Sequence, residues 1–298
     1  MAEVPLLITW DVDPSPKLPV ENKVRSLALA TALCDDLGIR ATFFVTARAP
    51  QATRETLGRI QASGHEIGCH GLTHGDEENY DRMPEELQRA YIAAATERLT
   101  ELAGRPIRAF RSPRVKTSGL TLSILAEHGY RADSSVCPQR VDLVSSNLLN
   151  IGWVFAPRGA YRPARRSAFR RGTLAIWEVP IAAAIVPFIS ASLSVFGLTF
   201  MKALFRLLYA ESRRTGRPIV YLAHPTEFTA GRQRKFHLRE FSPAHIRAHG
   251  LLVRNLLYRM GQGTWLRATR ELFSYMASFP GVVFSTVSDY VSQLPARR

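Results

Sequence analysis

The chain has 298 residues, 46% of them hydrophobic and 21% charged, so it is long and apolar enough to enclose a packed core. Its net charge of +14 favours anionic partners such as phosphate groups, lipid headgroups or nucleic acid, although a solvated basic face fits the charge equally well. Three widely spaced cysteines exclude a small disulfide-stabilised scaffold. Because no linker, repeat or low-complexity tract interrupts the sequence, we expect a single domain over residues 1–298.

Much of the positive charge is concentrated in two stretches. Six arginines lie between Arg158 and Arg171, within a segment of about residues 137–171 that we expect to be an irregular, arginine-rich insertion. The second stretch runs from Arg232 to Arg239. The N-terminus has no basic segment followed by a long apolar run, so no signal peptide is visible and a cytoplasmic location is expected.

The hydrophobic pattern alternates between strands and helices along the chain. Strands are predicted over residues 4–10, 41–45, 66–69, 107–110, 130–134, 174–179, 219–223 and 282–285. Helices are predicted over residues 23–37, 53–62, 84–102, 120–128, 199–213, 243–260 and 264–278, followed by a terminal helix. Repeated alternation of this kind is typical of a parallel sheet or barrel in the α/β class.

Polar residues follow the carboxyl ends of several of these strands. They are Asp11, Asp13, His70, Arg111, Asp133 and His224. In a βα barrel this is the face on which active sites are built. His70 and His74 lie four residues apart after a glycine-flanked strand, and neutral imidazoles are the commonest zinc ligands in proteins. Such a site needs a third ligand, usually a carboxylate.

Five segments in this order resemble motifs of the polysaccharide deacetylase family, the NodB-homology domains of carbohydrate esterase family 4. They are Thr9-Trp10-Asp11-Val12-Asp13, Ala41 to Val45, Gly64 to His74, Phe110-Arg111-Ser112-Pro113 and Tyr221 to Pro225. The resemblance extends from about Pro5 to Leu294. It implies a distorted (β/α) barrel that removes N- or O-acetyl groups from sugars with the help of a bound metal ion.

The resemblance also implies a role for each matching residue. Asp13, His70 and His74 would hold one divalent ion, for which zinc is expected, with water completing the coordination. Asp11 would be the general base that takes a proton from the attacking water.

Arg111 would pair with Asp11 and keep it ionised, and His224 would be the general acid that protonates the leaving amine. Asp133 would orient His224, although an ordinary turn carboxylate is an equally good interpretation of this residue. A backbone N–H near Arg114 would stabilise the oxyanion together with the metal.

Two departures from the family pattern leave the substrate open. Val12 separates the two aspartates, which are adjacent in many members, and the third motif continues as Pro113-Arg114-Val115 without the usual glycine or tyrosine. Since side chains alternate along a strand, the Asp-Val-Asp spacing places both carboxylates on one face.

Three hypotheses for the function remain. The first hypothesis is a deacetylase of an amino sugar. The second is a related amidohydrolase of a cyclic ureide or imide, and the third, a basic binding module on an inactive barrel, is disfavoured because every catalytic position is filled.

The segment from Val179 to Met201 has no charged residue and is long enough to cross a bilayer. A crossing would separate His224 from Asp11 and His70, so we expect either a buried strand with its loop or an exposed apolar lip. Such a lip beside the arginines would suit a lipid-linked, phosphate-bearing sugar at the inner face of a membrane. We therefore expect an amino-sugar substrate, peripheral contact with anionic lipid and no nucleic acid partner.

Overall fold

The computed structural model describes residues 3–15, 18–49, 51–139, 152–230, 260–261 and 263–295. These residues form twelve strands: β1 (Val4–Val12), β2 (Thr42–Val45), β3 (Glu66–Cys69), β4 (Ala109–Phe110), β5 (Ala132–Asp133), β6 (Pro163–Ala164), β7 (Ser167–Arg171), β8 (Trp177–Glu178), β9 (Ala183–Ala184), β10 (Val186–Pro187), β11 (Ile219–Ala223) and β12 (Val282–Phe284). The helices among them are α1 (Val20–Asp36), α2 (Gln51–Ala62), α3 (Glu85–Ala103), α4 (Gly119–Glu127), α5 (Gly152–Phe155), α6 (Ser190–Thr215), α7 (Thr264–Ala277) and α8 (Val287–Ser292).

Eight of the strands form one parallel sheet. Their order is β11-β1-β2-β3-β4-β5-β8, and β12 pairs with the first half of β1. Strand β1 pairs with three strands, β11, β12 and β2, and its residues Leu6, Leu7, Ile8 and Trp10 are all buried. Burial on both faces explains why β1 is a continuous apolar run, as is usual for a parallel strand that helices cover.

The sheet curls into a distorted barrel, as the sequence predicted. Leu7, Phe44, Ala109, Ala132 and Val220 come from five different strands and pack together in one inner cluster. Helix α8 closes this cluster with three further apolar residues: Val287, Tyr290 and Val291. Along β1 the alternation that turns Leu7 inward also turns Thr9 and Asp11 inward, so the polar residues continue the inner face toward the carboxyl end of the strand.

Residues 182–188 follow β8 closely in the chain and hydrogen-bond to β11, the strand at the other end of the sheet order. The N–H of Ala182 donates to Val220 O at 3.0 Å, and the N–H of Leu222 donates to Phe188 O at 3.4 Å. Between these contacts lies the short antiparallel hairpin of β9 and β10. This segment therefore occupies the seam between β8 and β11, close to the end of β11 that precedes His224.

The arginine-rich segment differs from the expectation. Instead of being irregular throughout, it contains α5 and an antiparallel hairpin of β6 and β7. The hairpin is short and its outward face is basic, so it has too few apolar residues for the alternation of a strand to be visible in the sequence. Residues 140–151 of this segment, the predicted helix over 243–260 up to residue 259, and the second basic stretch lie outside the described residues.

The uncharged segment is buried over much of its length and exposed at a few positions. Val179, Ile181, Phe188 and Leu193 are buried, whereas the side chain of Ile185 at the tip of the β9–β10 hairpin is 73% exposed. Helix α6 begins at Ser190, nine residues before the predicted start, because the chain remains helical on both sides of a kink at Gly197. At Gly197 φ is +82°, a conformation that glycine adopts without strain.

Candidate active site

Three predicted metal ligands meet at the carboxyl end of the sheet. Nε2 of His70 lies 3.3 Å from Asp13 Oδ1, and Nε2 of His74 lies 3.4 Å from the same oxygen. The three ligand atoms fall within 4.8 Å of one another. Ligands bound about 2.0–2.1 Å from a tetrahedral ion stand about 3.3 Å apart, so this spacing fits a zinc-sized ion.

Asp13 has the chemistry of a metal ligand. Its Oδ1 is buried and has no hydrogen-bond partner among the described residues, which is costly unless a cation compensates. Burial by itself would raise the pKa of Asp13, but His74, His70 and His224 together hold that pKa far below its usual range. The carboxylate is therefore ionised and available to a metal ion at any physiological pH.

His70 is oriented by the backbone of the next strand. Its Nδ1 lies 2.8 Å from Arg111 O. Since a carbonyl oxygen can only accept, Nδ1 carries the hydrogen and the lone pair of Nε2 faces Asp13. The ring is 1% exposed. The structure thus selects the tautomer that a metal ligand requires.

His74 is held by a loop that Glu78 organises. The buried carboxylate of Glu78 accepts hydrogen bonds of 2.7 Å from the backbone N–H groups of Leu72, Thr73 and His74, and one of 2.8 Å from the hydroxyl of Tyr80. His74 has a φ of +58°, which is unusual for a residue with a side chain. Glu78 therefore stabilises a strained conformation at a candidate ligand, a pattern found at functional sites.

Glu78 was not predicted from the sequence. It is the third of the consecutive acidic residues Asp76, Glu77 and Glu78, and nothing in the sequence separates a buried acceptor from two exposed neighbours. The close approach of the loop provides a partial signal at Gly71, where φ is +77° and an added Cβ would lie 2.5 Å from Glu78 Oε1. A glycine is required at this position.

Arg114 clamps the same loop from the other side. Its Nη2 donates to His74 O at 2.9 Å and to Gly75 O at 3.0 Å. The side chain is therefore a structural support for the second histidine. Whether a backbone N–H near Arg114 binds an oxyanion stays a prediction.

Arg111 and Asp11 form a buried ion pair beside the metal ligands. Arg111 Nη1 donates to Asp11 Oδ1 at 2.8 Å and to Thr9 Oγ1 at 2.8 Å. The other guanidinium nitrogens donate to the backbone oxygen and the hydroxyl of Ser134, both at 2.7 Å. Asp11 Oδ2 lies 3.9 Å from His70 Nε2. The pair thus fixes one oxygen of Asp11 and directs the other toward the candidate metal site.

His224 enters the site from the end of β11. Its Nε2 lies 3.9 Å from Asp13 Oδ2, and its Nδ1 lies 3.4 Å from Glu227 Oε1. Burial disfavours the charged ring, but the Glu227 carboxylate and Asp13 outweigh it and raise the pKa of His224 to about 9. The imidazole is therefore protonated near neutral pH, as a general acid must be before it donates.

Asp133 does not contact His224, and its predicted orienting role is corrected by this structure. Its Oδ1 accepts a hydrogen bond of 2.8 Å from Ser135, and its cross-strand neighbour in the register of β5 and β8 is Glu178. Both acids are fully buried, which raises the pKa of each, and the electrostatic contact with Asp133 raises that of Glu178 further. We conclude that Glu178 retains a proton and donates it to Asp133, while Glu227 is the partner of His224.

Comparisons with known proteins bear on the family and the fold. Residues 3–132 match the family model described as Polysaccharide deacetylase. A peptidoglycan deacetylase of Helicobacter pylori (strain ATCC 700392 / 26695) is 27% identical to the chain over 96 residues, which is 32% of this chain and 32% of that relative. The match thus spans about a third of the relative's length.

Two solved structures share the fold over nearly the whole chain. A protein described as a polysaccharide deacetylase from Mycobacterium smegmatis superposes with a TM-score of 0.64 at 17% identity, covering 98% of this chain and 90% of that one. The Puue allantoinase gives a TM-score of 0.63 at 16% identity with the same two coverages. At such identities the likeness establishes the fold.

These findings confirm the resemblance that the motifs predicted. Residues 3–132 match the polysaccharide deacetylase family model, and the curled parallel sheet has the fold of the NodB-type barrel. The matched region contains Asp11, Asp13, His70, His74 and Arg111.

Proposed function

We propose that the protein is a metal-dependent hydrolase that removes an N-acetyl or similar acyl group from an amino sugar. The observation that supports this most strongly is the convergence of Asp13, His70 and His74 within 4.8 Å, with Oδ1 of Asp13 buried and making no hydrogen bond to the described residues. Such a set of one carboxylate and two imidazoles is typical of catalytic zinc sites, which keep a position open for water.

The protein's own residues supply the proton transfers. Asp11 takes the proton of the attacking water, and Arg111 keeps this carboxylate ionised and aimed because it donates to Oδ1 at 2.8 Å. His224 donates a proton to the leaving nitrogen from the opposite side, since an amine is expelled poorly without one. When bound, a divalent ion would polarise the acyl carbonyl and lower the pKa of a nearby water.

The test is acetate release from oligosaccharides that contain N-acetylglucosamine, measured with zinc-loaded protein and with protein treated with a chelator. We expect release only from the loaded form, and its restoration when zinc is returned. Acetate release that chelation leaves unchanged, or no release from any acylated amino sugar, would contradict the proposal.

A second candidate is hydrolysis of a cyclic ureide or imide. The Asp11-Val12-Asp13 spacing favours it, since this spacing also occurs in branches of the family that act on other amides, and the barrel is shared with an allantoinase. A panel of ureides and imides assayed beside the acetylated sugars separates the two. Ring opening without acetate release would select this candidate.

We further propose that the site works at an anionic membrane surface, on the cytoplasmic side, with a carrier-linked sugar as substrate. Ile185 is 73% exposed and Phe196 is 50% exposed on either side of Ser190, the first residue of α6. Ser190 donates to Glu227 at 2.7 Å, and Glu227 is the partner of His224. Ile185 and Phe196 thus lie five and six residues along the chain from Ser190, whose hydroxyl contacts the partner of His224, and in this proposal they contact the lipid chain of the substrate.

Basic side chains on the same face support this proposal. Arg165 and Arg166 are exposed at the turn between β6 and β7. This turn contacts Gly119, the first residue of α4, and α4 begins on the side of the sheet where the strands have their carboxyl ends. Each would contribute about 1 kcal/mol near an anionic surface. Arg158, in contrast, forms an ion pair with Glu211, so its charge is already partly neutralised.

Among the helices that the structure describes, α6 alone is long and apolar enough, by length and composition, to cross a membrane. Its packing against α7 and β11 favours peripheral contact instead.

Sedimentation with vesicles of graded anionic lipid content, at low and high salt, tests the membrane proposal. Binding should rise with anionic lipid and fall only partly with salt, because the apolar contribution does not depend on ionic strength. The double variant Arg165→Gln, Arg166→Gln should bind less than wild type. The control Arg213→Gln, Arg214→Gln, at the opposite end of α6, should bind like wild type. If both double variants lost vesicle binding equally, or if wild type bound vesicles of no composition, the proposal of a specific membrane-binding face would be refuted.

A further inference from the structure

Glu227 lies three residues after His224, within the 3-10 turn Pro225–Phe228. Its Oε1 is 3.4 Å from Nδ1 of His224, and its Oε2 accepts from the backbone N–H of His224 at 3.5 Å. Proline at position 225 starts the turn immediately after β11. The turn therefore folds the glutamate back onto the imidazole that precedes it.

A second element fixes the carboxylate from behind. The hydroxyl of Ser190, which is 1% exposed, donates to Glu227 Oε1 at 2.7 Å. Ser190 is the first residue of α6, a helix that packs on α7 and β11. The side chain of Glu227 is thus held by a residue of a packed helix and is not free to rotate toward solvent.

We infer that Glu227, anchored by Ser190, is a positioning residue for His224 and selects its tautomer. A carboxylate only accepts hydrogen bonds, so Glu227 Oε1, 3.4 Å from Nδ1, stabilises a hydrogen on that ring nitrogen. Nε2 then points to the site, 3.9 Å from Asp13 Oδ2, and its proton is the one available for transfer. A carboxylate behind a catalytic histidine has this function in other hydrolases as well.

The inference rests on the proposed function for its chemical step. As the C–N bond breaks, the electron pair remains on nitrogen and the proton of Nε2 passes to that nitrogen, leaving neutral His224 with its hydrogen on Nδ1. Without Glu227 the imidazole ring could flip and place Nδ1 instead of Nε2 toward the leaving nitrogen. The donated proton would then be poorly aligned with that nitrogen.

A purely structural role for Glu227 is the alternative, since it also accepts from the backbone of the turn. The two roles differ in their dependence on the leaving group. An acid catalyst matters when the leaving group is an amine, and matters little when it is a nitrophenolate, which departs without a proton. A structural defect would lower both activities by the same factor.

The experiment compares turnover of an N-acetylglucosamine oligomer with that of 4-nitrophenyl acetate in wild type, Glu227→Gln and Ser190→Ala. Glu271→Gln is the matched control, because this exposed carboxylate on α7 pairs with Lys202. Glu227→Gln should lower kcat on the amide at least about tenfold, a part of the 10²–10⁴ that a general acid contributes, with KM and zinc content unchanged. Its ester turnover should fall less than about threefold by the same reasoning.

Ser190→Ala should act in the same direction to a smaller extent, and it provides the comparison if Glu227→Gln does not fold. Equal losses on amide and ester, or an unchanged amide rate, would overturn the inference.

A readout that needs no turnover distinguishes failure of this inference from failure of the proposed function. In protein with ¹⁵N-labelled histidine, at a pH high enough for the ring to be neutral, the signal that His224→Asn removes should report hydrogen on Nδ1 in wild type and a shift toward the other tautomer in Glu227→Ala. No shift would overturn the inference even if the enzyme acts on another amide.

Discussion

Replacing Glu78 with glutamine should weaken the candidate metal site without touching a ligand. In the wild type, Oε2 accepts from the N–H groups of Thr73 and His74, and Oε1 accepts from Leu72 N and Tyr80 OH. An amide has only one acceptor oxygen, and its NH₂ group would face two donors. Glu78→Gln therefore removes two hydrogen bonds to a charged acceptor and leaves their donors unpaired.

The magnitude follows from those bonds. At about 1.5 kcal/mol or more for each, the free energy of unfolding should fall by about 3 kcal/mol. A loss of that size lowers Tm by about 6–12 °C in a chain this long. Because the same bonds hold His74 at a φ of +58°, zinc affinity should fall about 10- to 100-fold, the range found for residues that orient metal ligands.

The assay is zinc competition with a chromophoric chelator, together with thermal unfolding of the metal-free protein. Glu77→Gln is the control, since it makes the same change at the neighbouring, exposed residue. Its Tm and zinc affinity should stay close to those of the wild type. If Glu78→Gln binds zinc as tightly as Glu77→Gln does, the loop does not position His74 and the reasoning is wrong.

Two further predictions concern the buried acids. Asp11→Asn should keep zinc but lose about a hundredfold or more in turnover, because the base accepts a proton without being a ligand; turnover near wild type would remove that role. Glu178→Gln should fold normally, since an amide mimics the protonated acid, whereas Glu178→Ala should be clearly less stable. Because the folded-state pKa of Glu178 is raised from 4.5 by burial, wild type should lose stability relative to Glu178→Gln as the pH rises above that value, and urea unfolding at several pH values measures this. A constant difference across pH would mean that Glu178 is ionised.

The part of the site that lies at strand ends could be predicted from the sequence. Parallel strands place their carboxyl ends on one face, so Asp13, His70 and His224 had to approach one another once the alternation of strands and helices was clear. The barrel follows from the same alternation. Helix boundaries were less certain: α6 begins at Ser190 rather than at residue 199, because helical turns lie on both sides of the kink at Gly197.

The residues that support the site could not be found in the same way. Glu78 and Glu227 act through side chains that reach back over a turn, and no sequence pattern distinguishes either position. The pairing of Asp133 with Glu178 joins positions 45 residues apart through the register of β5 and β8, two strands of only two residues each. Strands that short carry too little alternation for their register to be read.

The metal content of three proteins tests the central claim most directly. Wild type, His74→Ala and His128→Ala would be stripped with a chelator, dialysed against excess zinc and then against metal-free buffer, and analysed for bound zinc. His128 is exposed at the end of α4, away from the site, so it controls for loss of any histidine. We predict one zinc ion per chain in the wild type and in His128→Ala, and none in His74→Ala. Equal zinc in His74→Ala and the wild type would contradict the assignment of Asp13, His70 and His74 as the metal site.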